Sequence, residues 1–185
     1  MSWAVRAATK KKKSNAWAVI MAGGSGTRFW PESREQRAKQ FLNFFGRKTL
    51  LEQTFDRIRK FVPPSHILVF TAADKAALTA KLLRISRSQV IGEPVGRNTA
   101  PCAAWAASLI LRKDPSAVMG IFPADHFIKD EKAFVKALRV AYDQADRTGM
   151  PVTLGIRPDQ PHTGYGYLEI AKKKTSAGGT QVFFL

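Results

Sequence analysis

The stretch WAVIMAGGSGTRFWP, Trp17 to Pro31, runs a short apolar segment straight into a glycine-rich loop. Trp17 to Met21 shows no alternation of polar and apolar residues, which is the pattern of a strand buried on both faces. Beyond it stand Ala22, Gly23, Gly24, Ser25, Gly26 and Thr27, where backbone amides can converge on phosphate oxygens. Glycine suits that task because the main chain must approach the ligand closely and can take positive φ without a Cβ clash. Arg28 adds a planar cationic fork for the same oxygens. The Walker spacing is absent, and the dinucleotide fingerprint fails at Phe29, where its third glycine would stand. Taken alone, the loop is explained equally well as a tight turn from strand to helix.

Downstream, Thr49 and Glu52 have capping-box spacing ahead of Leu50, Leu51, Phe55, Ile58 and Phe61, an apolar series at helical period closed by Pro63 and Pro64. Strands are predicted at Ile67 to Thr71, Gln89 to Gly92 and Val118 to Phe122. Helices are predicted at Lys75 to Arg84, at Thr99 to Leu111 with Asn98 or Thr99 as its cap, and from an Asp130 cap to Thr148, stopped by Gly149. Further strands are predicted at Pro151 to Gly155, Tyr167 to Ala171 and Gln181 to Leu185. Such βα alternation predicts an α/β fold, a Rossmann-like, mainly parallel sheet with helices on both faces and ligands at the carboxyl ends of the strands.

With 185 residues, 45% hydrophobic and 24% charged, the chain has the balance of one folded domain. Met1 to Ser14, with Arg6 and Lys10 to Lys13, reads as a disordered basic tail ahead of a domain spanning residues 15–185. No apolar run approaches the ~20 residues of a membrane span, and no apolar segment follows the basic start as in a secretion signal. The single cysteine, Cys102, allows no intrachain disulfide and reads as a small buried residue, so the cytoplasm is expected. A formal charge of +16, from 30 basic and 14 acidic residues, points to anionic partners. It predicts weak, salt-sensitive, sequence-independent association with nucleic acid.

The longer pattern GGSGTRFWPESREQRAKQF, Gly23 to Phe41, resembles the signature of sugar-phosphate nucleotidyltransferases, with the glycines, Arg28, Pro31 and Lys39 in register. The resemblance is closest to the mannose-1-phosphate guanylyltransferase branch, and Ala38 departs from the proline usual there. Three further segments resemble the same branch: EPVGRNTAP (Glu93 to Pro101), FPADHFI (Phe122 to Ile128) and PHTGYGYLE (Pro161 to Glu169).

The resemblance implies the nucleotide-diphospho-sugar transferase type of fold and attack of a sugar 1-phosphate on the α-phosphorus of GTP. Arg28 and Lys39 would neutralise the triphosphate. Glu93, Arg97 and Asn98 would lie on the base and ribose side, with Ala22, Gly23, Gly24, Gly26 and Thr27 on the phosphates. Asp125 would hold Mg²⁺, as in-line transfer with a pyrophosphate leaving group requires; otherwise it is a turn residue. Gly164, Tyr165 and Gly166 would fold over the sugar, and Glu169 would accept bonds from its hydroxyls or be a plain exposed glutamate. His126, without a ligand partner at metal spacing, reads as structural.

The branch continues with a FxEKP-type segment, an Asn-Ser-Gly segment, a second metal aspartate and a β-helical domain. The expectation is therefore a domain incomplete at its C-terminus, able to self-associate through its last strand and with little transferase activity alone. Three other readings compete. A uridylyl- or thymidylyltransferase would share the first motif but not the next two, and an inactive remnant would bind nucleotide only. A basic nucleic-acid-binding module would need aromatic residues interleaved with basic ones on a sheet face, which the sequence lacks.

Overall fold

A computed structural model describes residues 15–23, 48–170, 174–177 and 180–183. In chain order the elements are β1 (Ala16–Met21), α1 (Leu50–Ile58), β2 (Ile67–Ala72), α2 (Ala76–Leu83), β3 (Val90–Glu93), α3 (Thr99–Lys113), β4 (Val118–Pro123), α4 (Glu131–Thr148), β5 (Lys174–Ala177) and β6 (Thr180–Phe183). The first four strands form one parallel sheet of order β3-β2-β1-β4. β1 pairs with β2 through Ala18↔Ile67 to Met21↔Phe70, and with β4 through Ala16↔Val118 to Met21↔Pro123.

β1 is apolar throughout because both of its faces are covered. Ala16, Ala18 and Ile20 pack with Ile67 and Val69 beneath α1, α2 and α4, whose contributions include Leu51, Phe55, Ala80 and Leu138. Trp17 and Val19 point to the opposite face with Leu68 and Phe70, where α3 lays Cys102, Ala106 and Ile110 at successive turns. Each fully buried aliphatic or aromatic side chain of this kind contributes about 1.5–3 kcal/mol relative to exposure. The amino end of β1 is anchored as well: the Trp17 ring stacks on His66 at 4.4 Å, and its Nε1–H donates to Asp114 Oδ2 at 3.2 Å.

The helix signals act as expected at two of three starts. Thr49 and Glu52 form the full capping box, with the Glu52 N–H donating to Thr49 Oγ1 and the Thr49 N–H to Glu52 Oε2. Asp130 Oδ1 accepts the Ala133 N–H at 2.9 Å, and Gly149, at φ 67°, ends that helix. At α3, Asn98 is the N-cap residue but its side chain makes no capping bond. It sits instead at φ 64°, ψ −164°, a conformation uncommon for any residue but glycine.

Two strand expectations fail. Pro151 to Gly155 and the described part of Tyr167 to Ala171, through Ile170, adopt no regular structure, and residues 151–170 are exposed. An extended apolar segment becomes a strand only when its backbone pairs with a neighbour, which period alone cannot supply. The last strand lies earlier than its expected Gln181 start, at Thr180–Phe183, and pairs antiparallel with β5. The N-terminal tail falls outside the described residues.

The contact between β4 and α4 is tight enough to specify glycine. A Cβ on Gly120 would lie 2.3 Å from the Tyr142 hydroxyl oxygen, and that hydroxyl donates to Trp17 O at 2.6 Å. Gly120→Ala is therefore expected to cost about 1–3 kcal/mol, the range for overpacking. Tyr142→Phe is expected to cost about 1 kcal/mol through loss of the hydrogen bond. Urea unfolding of both single variants and the double should show the Gly120→Ala cost shrinking when the hydroxyl is gone; strict additivity would contradict the contact.

Candidate functional site at the strand ends

From β1 the chain steps outward to β2 and β3, then returns through α3 to place β4 on the other side of β1. The crevice between the carboxyl ends of β1 and β4 is thus the switch point at which open parallel sheets bind ligands. The ladder runs one residue past the strands: the Ala22 N–H donates to Phe70 O at 2.7 Å, and the Ala124 N–H to Met21 O at 2.9 Å. Thr71 Oγ1 donates to Ala22 O at 3.2 Å. The start of the glycine loop and the approach to Asp125 therefore leave the sheet side by side from fixed points.

Gly23 and Glu93 come together here although 70 positions separate them in sequence. A Cβ on Gly23 would lie 2.7 Å from Glu93 Oε2, so a side chain at position 23 would push the carboxylate away. Glu93 ends β3 partly buried, and that burial raises its carboxyl above the usual glutamate range. Cys102, buried in the first turns of α3, has its thiol pushed up to about 11 by burial and then by the charge of Glu93. A thiol so placed is unreactive at neutral pH, in keeping with its reading as a packing residue. Arg97 and Asn98 are exposed in the loop between Glu93 and α3.

Asp125, partly exposed, follows the last ladder bond of β4. Its neighbours are held from α1: Thr54 Oγ1 donates to Ala124 O at 3.3 Å, and Arg57 Nη2 donates to His126 O at 3.2 Å and to Thr54 Oγ1 at 3.0 Å. His126 thus contributes a backbone carbonyl while its side chain is exposed, as a structural residue would. The sequence reading missed Thr54 and Arg57. The available signal was their position: they lie four and seven residues after Leu50, on the stripe that α1 buries, where polar residues are out of place.

Gly164, Tyr165 and Gly166 belong to an exposed turn that closes on His162. The His162 ring stacks on Tyr165 at 4.4 Å, and its Nδ1 accepts the Gly164 N–H at 3.1 Å. The Tyr167 hydroxyl accepts from His162 N and donates to His162 O. Glu169 is exposed beyond this turn. Gly24, Gly26, Thr27, Arg28 and Lys39 lie outside the described residues. Among the described residues no group of three or more His, Cys, Asp or Glu could cage a metal ion.

The sheet order, with the start of the glycine loop and the Asp125 loop leaving side by side at its switch point, is the arrangement of an α/β nucleotide-binding enzyme. The Nucleotidyl transferase family matches residues 17–181, and the chain belongs to that family. It is 39% identical over 164 residues to the mannose-1-phosphate guanylyltransferase of Escherichia coli, a match covering 88% of this chain and 35% of that protein. The alginate biosynthesis protein AlgA of Pseudomonas putida is 40% identical over 152 residues, covering 81% of this chain and 31% of that one. A crystal structure described as a mannose-1-phosphate geranyltransferase from Thermus thermophilus superimposes with TM-score 0.76 at 37% identity. It covers 86% of this chain and 47% of its own. The chain therefore spans about a third of the length of these curated relatives, and the motif resemblance leads to the same group of proteins.

Because burial raises the Glu93 carboxyl, its proton stabilises the fold at low pH and that stabilisation is lost as pH rises through and above the glutamate range. Glu93→Gln should match the wild type in melting temperature near pH 4 and exceed it at pH 8. A gap that is constant with pH, or of opposite sign, would contradict the placement of Glu93.

Proposed function

We propose that this chain carries the nucleotide half of an enzyme that transfers GMP from GTP to mannose 1-phosphate, giving GDP-mannose and pyrophosphate. The observation that carries the reading is that the start of the glycine loop lies against Glu93 on one side and leaves the sheet beside the Asp125 loop on the other, all at the carboxyl edge. Relatives named mannose-1-phosphate guanylyltransferase over the same span support the choice of substrates. Attack by an already ionised sugar phosphate needs no covalent help from the protein, so catalysis rests on positioning and charge neutralisation.

In this reading the amides from Ala22 through Thr27 cradle the phosphates, and Arg28 and Lys39 neutralise them. Glu93, Arg97 and Asn98 line the nucleoside side, while the turn at Gly164, Tyr165 and Gly166, with Glu169, serves the sugar. Asp125 suits Mg²⁺, which is commonly held by one or two carboxylates together with substrate phosphates rather than by an all-protein cage. When bound, the ion would supply charge neutralisation at the transferring phosphate.

No helix among the described residues is long and apolar enough to cross a membrane. We place the enzyme in the cytoplasm, a reading supported by one buried cysteine and no disulfide framework.

Titration calorimetry with Mg²⁺ should show GTP binding roughly tenfold tighter than ATP or UTP, a difference of about 1.4 kcal/mol. Arg28→Ala and Lys39→Ala should each weaken GTP by roughly tenfold, as loss of one charge-assisted hydrogen bond does, with little change in melting temperature. Equal affinity for all three nucleotides would remove the guanylyl assignment. Unchanged GTP binding in both variants would remove the phosphate role of the loop.

A further inference from the structure

We infer that Arg57 is a positioning residue for the nucleotidyl-transfer site, setting the direction of Asp125 by holding the two backbone carbonyls that flank it. The inference rests on the metal role proposed above for Asp125. Arg57 is 2% exposed and is the only charged side chain among the buried described residues, whose other polar members are threonines. Its Nη2 reaches His126 O directly and Ala124 O through the Thr54 hydroxyl. One arginine–threonine pair on α1 thus ties down the peptide that enters position 125 and the one that leaves His126. With the planes on either end of the Asp125–His126 pair fixed, the backbone between them has little freedom to swing the aspartate.

What Arg57 lacks points the same way. It forms no ion pair among the described residues, and its Nε is buried without a hydrogen-bond partner. Glu131, whose charge favours the cation, gives its own ion pair to Lys60. The guanidinium lies 5.6 Å over the Phe134 ring. Burial lowers the pKa of Arg57, so the core keeps a cation that it disfavours. The arginine does what no apolar residue can, which is to direct two carbonyls. Partners that orient a metal-binding side chain commonly change metal affinity 10–100-fold when removed.

The test measures GTP affinity with EDTA and then with Mg²⁺ for the wild-type chain, Arg57→Met, Arg57→Lys, Thr54→Val and Asp125→Asn, with a melting curve for each. In the wild type Mg²⁺ should tighten GTP, and in Asp125→Asn that gain should disappear. Arg57→Met should lose about tenfold of the gain while binding metal-free GTP like the wild type. Arg57→Lys, which can reach one carbonyl, should lose less. If Arg57→Met does not fold, Thr54→Val and Arg57→Lys carry the same comparison. A full Mg²⁺ gain in the folded Arg57 and Thr54 variants would overturn this inference alone, as would equal losses with and without the metal, which mark a merely structural residue. A wild type that gains no more from Mg²⁺ than Asp125→Asn would sink the metal reading itself, and this inference with it.

Discussion

β1 is committed on every side. Its backbone is shared between β2 and β4, and its side chains are divided between the two layers of helices. Because neighbours occupy both edges and both faces, a slip of one residue would turn its whole apolar set to the wrong layer and break both ladders. The site depends on that rigidity. The glycine loop leaves β1, and the Asp125 loop leaves β4, each one residue past a bond that continues the sheet. What the strand ends hold in common is therefore set by the sheet register and not by the loops themselves.

The charge at these strand ends is unlike that of the chain as a whole. The chain carries a formal +16, yet the described side chains gathered there include two carboxylates, Glu93 and Asp125, and the nearby cation Arg57 is buried with its bonds given to Thr54 Oγ1 and His126 O. A triphosphate bound beside two carboxylates needs cations between them. On the proposed function, Arg28, Lys39 and a divalent ion would supply them. Glu93, held partly buried beside Gly23, is then suited to neutral donors such as those of a base or ribose rather than to phosphate.

Much of this was legible in the sequence because it rests on local pattern. The apolar run of β1, the capping box at Thr49 and Glu52, and the Asp130 cap each depend on residues a few positions apart. The encounter of Gly23 with Glu93 is not local, and only the motif resemblance set both on the nucleotide side. Thr54 and Arg57 went unread because helical period picks out the apolar members of α1, while the polar pair on the same stripe held the information about the site. The failed strands at Pro151 to Gly155 and Tyr167 to Ala171 mark the opposite limit. Strand-forming residues express that tendency only where an edge receives them, and the exposed 151–170 segment has no such pairing in the described structure.

The central claim is that nucleotide binds across the carboxyl ends of β1, β3 and β4. Amide hydrogen exchange of the chain with and without Mg²⁺ and GTP tests it most directly, because binding there must slow exchange in segments distant in sequence. The account predicts added protection in peptides covering Ala22–Gly23, Glu93–Thr99 and Ala124–His126, with none at the opposite end of the sheet around Asp114–Ser116. Protection confined to one of those three segments, or appearing around Asp114 instead, would contradict it.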